Sequence, residues 1–166
     1  MPYSSPELLQ LEAIRDWMAT LTVWQEWVGS VVAATLKARV VWPLKSAPTL
    51  PVCVLSVASS VMRNQTGAAG GANFQPSGEI KLWVYAADTQ PADPQAGYSD
   101  FLDLFGRLRD EMADNAHLAP VFFNEFLFSA PPVIHSSWVN MEDDDAQEGL
   151  GAWFQGEMSI RWGVEA

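Results

Sequence analysis

"GAWFQGEMSIRWG", residues 151–163, holds the cleanest strand pattern in the chain. Phe154, Met158, Ile160 and Trp162 are apolar and stand at even-numbered positions, while Gln155, Glu157, Ser159 and Arg161 between them are polar. Successive side chains of a strand point to opposite sides, so this alternation predicts one buried face turned to helices and one face turned outward. Such a strand left as a bare edge would invite pairing with another chain. It is therefore expected inside a sheet, or where a second chain is met.

Working upstream, "IHSSWVNME" reads as the strand before it. In "EIKLWVYA", Ile80, Leu82 and Val84 define one face, and Trp83 and Tyr85 fall on the other beside Glu79 and Lys81. "VCVLSVA", residues 52–58, is apolar at nearly every position, as expected of a central strand buried on both sides. "TLKARVVW" alternates Leu36, Ala38, Val40 and Trp42 with Lys37 and Arg39, which predicts one further strand.

Two helices are expected. The first spans residues 6–28, capped by Ser5, opened by Pro6 and ended by Gly29. Leu11, Ile14, Met18 and Leu21 form its stripe, widened by Trp17, Trp24 and Val28. The second covers residues 98–115, with Tyr98, Phe101, Phe105, Leu108 and Met112 on one side; Gly106 is expected to mark a close approach to the sheet. The order helix, three strands, helix, two strands predicts a single α+β domain over residues 1–166. Its sheet is mainly antiparallel, of four to five strands, with both helices packed on one face.

Between the second and third strands, "RNQTGAAGGANFQPSG", residues 63–78, reads as a long flexible loop. It is either a plain hairpin tip or a segment that orders on binding a partner, with Arg63, Asn64, Gly67, Gly70, Gly71, Asn73 and Phe74 as its contact candidates. It lacks the GxxxxGK[ST] pattern of a phosphate cradle and has no lysine. "PVFFNEFLFSAPPVI" is apolar without a clear period.

Length and composition set bounds. A chain of 166 residues with 49% apolar and 17% charged residues folds as one domain and buries roughly 70% of its unfolded surface without a staple. Eight tryptophans with so few charges imply that part of the outer surface is covered, as in a subunit of an assembly. Nine basic against 20 acidic residues give a net charge of −11, and no basic cluster is present, which argues against a phosphate-neutralising nucleic-acid binder. That surplus serves solubility, or a surface past which DNA slides without sticking. The opening "MPYSSPELLQ" and the absence of any apolar run near 18 residues predict a soluble chain with no spanning segment.

Chemistry is harder to find. Cys53, the one cysteine, lies in an apolar run and reads as a buried thiol. His117 and His135 stand apart, with no zinc spacing, and Ser56, Ser59 and Ser60 lack a nucleophile elbow. No catalytic residue, cofactor or metal is therefore assigned, and the chain is not expected to be an enzyme. The acidic run "MEDDDAQEG" has consecutive acids where a calcium loop alternates its ligands, so it reads as a solvated connection. Surfaces remain. Trp83, Tyr85, Trp138 and Trp153 are candidate intersubunit anchors, the alternative being that they complete a second small core.

The order of parts resembles the tail terminator proteins of long-tailed bacteriophages. The likeness is carried by the N-terminal amphipathic helix, "RVVWPLKSAPTLPVCVLSV" running through a proline-rich turn into a strand, the long glycine-containing loop, "GEIKLWVYAADT" followed by a helix, and the last strand closing on "IRWG". It implies a structural virion protein of the tail–neck region, soluble in the host cytoplasm before assembly. Six copies would form a ring that caps the tail tube and joins it to a head-completion or neck protein. DNA would pass through without being specifically bound, and no membrane is involved. Sheets edge to edge, or helix against sheet, would close the ring. In such a ring Glu157 and Arg161 would meet a neighbour or the channel, and Glu142, Asp143, Asp144 and Asp145 are candidate channel-facing acids. Rival readings are another neck or tail component, such as a head-completion or tail-tube protein, or a small ligand-binding or enzymatic domain with a pocket between helices and sheet.

Overall fold

The computed structural model describes residues 5–43, 49–66, 72–115, 133–142 and 153–162. The elements run α1 (Pro6–Met18), α2 (Thr22–Val28), α3 (Ala33–Ala38), β1 (Val40–Val41), β2 (Val52–Thr66), β3 (Ala72–Ala87), α4 (Pro94–Asp114), β4 (Val133–Glu142) and β5 (Trp153–Trp162). This is an α+β fold on one five-stranded mixed sheet in the order β1-β2-β3-β5-β4. The closing strand, β5, lies between β3 and β4, inside the sheet. Among the described residues no helix is long and apolar enough to cross a membrane.

The expected first helix is two helices. Ser5 caps α1 as the sequence indicates, its hydroxyl accepting from the Leu8 amide at 3.2 Å. The chain then breaks at residues 19–21: the Thr20 hydroxyl donates to the Trp17 carbonyl at 2.6 Å, and Leu21 is extended. The amides of Thr22 and Val23, freed by this break, donate to the two carboxylate oxygens of Glu111 on α4 at 2.7 and 2.8 Å. A side chain almost ninety residues away thus supplies the cap that α2 lacks locally. The apolar stripe survives the break, since Leu11, Ile14, Trp17, Met18, Leu21 and Trp24 are all buried. Gly29 ends α2 with φ +71°, a left-handed conformation in which glycine carries no side-chain penalty. Removing the carboxylate in Glu111→Ala should cost about 1–2 kcal/mol, the usual weight of a lost cap, and urea unfolding measures it. A variant as stable as the parent would show that water replaces the cap.

The strand expected over residues 35–42 shrinks to β1. Residues 33–38 instead form α3, because alanine favours helix and Leu36, fully buried, is the one residue there whose burial must be satisfied. The β1–β2 pair is also parallel, Val40 opposite Cys53, so the sheet is antiparallel everywhere except at this edge. One nitrogen of Arg39, Nη1, secures the connection by donating to the carbonyls of Thr49, Leu50 and Pro51 at 3.0, 2.9 and 3.3 Å. Burial of β2 on both sides, expected for residues 52–58, holds only for Val52, Cys53, Val54 and Leu55; Ser56 and Ala58 are exposed.

The loop expected over residues 63–78 is mostly strand. Beyond a bulge between Val57 and Ser59, β2 and β3 stay paired from Ser59 opposite Glu79 to Thr66 opposite Ala72. Arg63, Asn64, Asn73 and Phe74 therefore stand in a ladder, and Gly67, Gly70 and Gly71 fall outside the described residues. Composition misled here, because a cross-strand ladder is satisfied by backbone groups and tolerates small and polar side chains.

The core joins Cys53, Leu55, Ile80, Leu82, Val84, Phe154, Met158 and Ile160 to the apolar stripes of α1, α2 and α4. Phe101 of α4 stacks on Phe105 at 5.9 Å and meets Phe154 of β5 at 5.4 Å and Trp27 at 5.5 Å. Part of the aromatic surplus is thus core, with Trp17 and Trp24 at its centre. The close approach expected at Gly106 is absent, for a Cβ there would meet nothing within 4 Å. The close approach lies at Gly156, where the Phe105 ring occupies the space that a side chain would need. The described part of the apolar segment before β4 begins only at Val133.

Candidate functional site

With Ile80, Leu82 and Val84 committed to the core, the pleat of β3 sends Lys81, Trp83 and Tyr85 to the opposite side. Register carries that side across the sheet. Trp83 is paired with Glu157, and Glu157 with Trp138; Tyr85 is paired with Gln155, and Ala87 with Trp153. Arg161 stands opposite Glu79 two rungs further on from Ser159. All six interface candidates, Trp83, Tyr85, Trp138, Trp153, Glu157 and Arg161, therefore occupy backbone positions on one face, although they come from three strands.

Glu157 differs from its expected role. The alternation turns it outward, to meet a neighbour or the channel, yet within the chain it is only 8% exposed. Its Oε2 accepts from the indole Nε1 of Trp83 at 2.8 Å, and its Oε1 lies 3.2 Å from Nζ of Lys81. A carboxylate taken from water must be paired, and these two donors do so. Ser159, two residues on and also expected to face out, is buried as well. Where side chains are described, the face thus carries two half-buried aromatics, Trp83 and Tyr85, beside one internally neutralised charge. Trp83 has spent its N–H on Glu157 and offers ring surface.

Lys81 is the member that sequence reading did not single out. Its signal is plain afterwards, since it stands two residues before Trp83 on the same side and an acid stands across the ladder. Glu157→Ala should cost about 1–3 kcal/mol, because it takes the acceptor from the half-buried Trp83 indole and leaves Lys81 without its partner. Glu157→Gln, which keeps an acceptor for the indole, should cost less; equal losses for both in urea unfolding would refute the assigned hydrogen bond.

Of the acidic candidates, Glu142 is the last residue of β4, paired with Trp153, and Asp143, Asp144 and Asp145 lie outside the described residues. Among the described residues no three His, Cys, Asp or Glu side chains are grouped to hold a metal ion. Cys53 is fully buried, and burial pushes its thiol well above the ordinary range, so it stays protonated and inert as expected. An open trough of about 580 Å³ is bounded by α2 and the link to α3, with no sheet residue in its lining. Beside it, Arg107 holds the Glu26 carboxyl below its usual range through paired contacts at 2.6 and 3.1 Å. The chain matches no protein-family model and no curated protein sequence.

Proposed function

We propose that this chain is a structural subunit of a long-tailed phage, a tail terminator that assembles as a ring, caps the tail tube and joins it to the neck. The observation that carries this reading is the arm formed by β2 and β3. Beyond Ser60 and Gly78 six residue pairs continue as a two-stranded ribbon, past the last contact with β5. An isolated two-stranded ribbon is marginal in water, so packing against a neighbouring molecule would stabilise this one. The half-buried strip around Trp83 supplies a second contact surface of the composition that interfaces favour. In this reading the net charge of −11 keeps the ring from holding the DNA that passes it.

Native mass spectrometry with purified tail-tube protein tests the proposal. Rings of a fixed number of copies that bind tube ends are expected; a chain that forms no rings and leaves tube ends uncapped would refute it. Trp83→Ala should abolish ring formation while the far-ultraviolet spectrum of the monomer persists. An unfolded Trp83→Ala chain would instead identify Trp83 as core.

A further inference from the structure

We infer that the β2–β3 arm of one copy seats in the trough beside α2 of the next copy, laying the arm face of Met62 and Phe74 against Val31 and Val32. The inference deepens the reading of the arm as a contact element and rests on the ring only for closure of the copies into a circle.

Three observations carry it. First, the trough is bordered by the most exposed large apolar side chains among the described residues. Val31 is 79% exposed and Val32 57%, and Ala33 and Ala34 after them are exposed too. A single surface valine needs no explanation, but a contiguous run beside a trough of about 580 Å³ marks an interaction surface. Its one charged lining residue, Glu26, is held by Arg107.

Second, the arm offers a matching face. β3 runs through the ladder unbroken, so Gly78, Pro76 and Phe74 stand on the face of Ile80. Ala58, the extra residue at the bulge in β2, switches Met62 and Asn64 onto that same face, opposite Pro76 and Phe74. No charged residue stands on it, and residues 59–78 carry a single charge, Arg63, on the other face. Two copies at −11 each repel one another, and the arm is the cationic part of an acidic chain. It meets a trough whose rim is acidic on balance, with Glu26 and Asp103 around Arg107.

Third, the two halves are held apart within one chain. Trp27 of α2 packs on Phe101, Phe101 packs on Phe154, and Phe154 lies opposite Ala86, so the trough sits at the Ala86 end of β3. β3 has 16 residues, and Phe74 stands near its other end, about 40 Å away. The partner is a second copy of this chain, because the chain carries both halves and keeps them at opposite ends of its sheet. Arm and trough are different surfaces, so the contact is head to tail and repeats from copy to copy.

The test uses two blocked forms. In one, residues 62–76 are replaced by Asn-Gly, a two-residue hairpin turn, which removes the arm and keeps the trough; Phe74→Asp is the milder variant should the shortened chain melt early. In the other, Val31→Asp and Val32→Asp together charge the trough and keep the arm; both positions are exposed, so melting should be unchanged. By light scattering, the parent chain should form oligomers and each blocked form alone should be monomeric. Mixed, the two should give one-to-one dimers and nothing larger, since each retains one half of the junction. In a chain with both Val31→Cys and Phe74→Cys, oxidation should link copies into a covalent ladder that neither single variant gives; Cys53 is buried and takes no part.

A parent that stays monomeric, a blocked form that assembles like the parent, or a mixture that stays monomeric would overturn the inference. So would a trough-blocked chain that keeps the parent's oligomers and loses only its binding to tube ends, which would give the trough to the tube protein. Binding to tube ends is scored separately, so arm-linked oligomers that ignore the tube would sink the tail-terminator reading and leave this junction standing.

Discussion

Gly156→Ala is expected to destabilise the chain by about 3 kcal/mol, a fall in Tm of roughly 6–12 °C at this length. The cause is local and severe. A Cβ at this position would fall inside van der Waals contact with three atoms of the Phe105 ring. The ring has little freedom to withdraw, since it is buried at 2% exposure and stacked against Phe101. Either the ring leaves its stack or β5 moves away from α4, and both expose apolar surface. Phe105→Leu in the Gly156→Ala background should recover part of the loss, so a thermodynamic cycle over the two sites should be strongly non-additive. A loss under about 1 kcal/mol for the single variant would mean that the core yields freely there, which close packing argues against.

Trp24→Ala should cost about 3–5 kcal/mol, the range for truncating a buried tryptophan. Trp24 is fully buried, meets Trp27 edge to face at 6.3 Å, and donates from Nε1 to the Leu36 carbonyl at 3.4 Å. Its removal opens a cavity and releases α3 from α2 together. Urea unfolding should give the loss, and the Leu36 amide, bonded to the Val32 carbonyl at 3.0 Å, should exchange faster than amides of α4. A loss near 1 kcal/mol with unchanged exchange would show that the surrounding helices collapse onto the gap.

What the sequence made legible was periodicity enforced by one large core. The stripes of α1 and α4 and the alternation of β3 and β5 read directly, because their apolar residues all answer to the same buried surface. Three features escaped for different physical reasons. The break at residues 19–21 leaves the apolar stripe intact, and its cap comes from Glu111, which no local pattern could announce. α3 is short and has one buried residue, so two periods fit it equally well. The arm is held by backbone pairing, to which side-chain composition is nearly blind.

The candidate face was half legible. Alternation placed Trp83 and Tyr85 on the side opposite the core, and the strand register gathered Trp138, Trp153, Glu157 and Arg161 onto it. Composition could not foresee that Glu157 is consumed internally by Lys81 and Trp83. A polar residue in a strand alternation reports only which side it is on. Whether that side is wet depends on what lies across the ladder.

The Glu111 cap also sets a clock on biosynthesis. The amide of Val23 and the carboxylate that secures it are 88 residues apart in sequence. At ordinary translation rates, roughly 4–18 s pass between their appearances, and α2 must wait that long for its N-terminal bonds. The N-terminus of α2 is therefore completed only once α4 has been made, whereas α1 carries its own cap in Ser5.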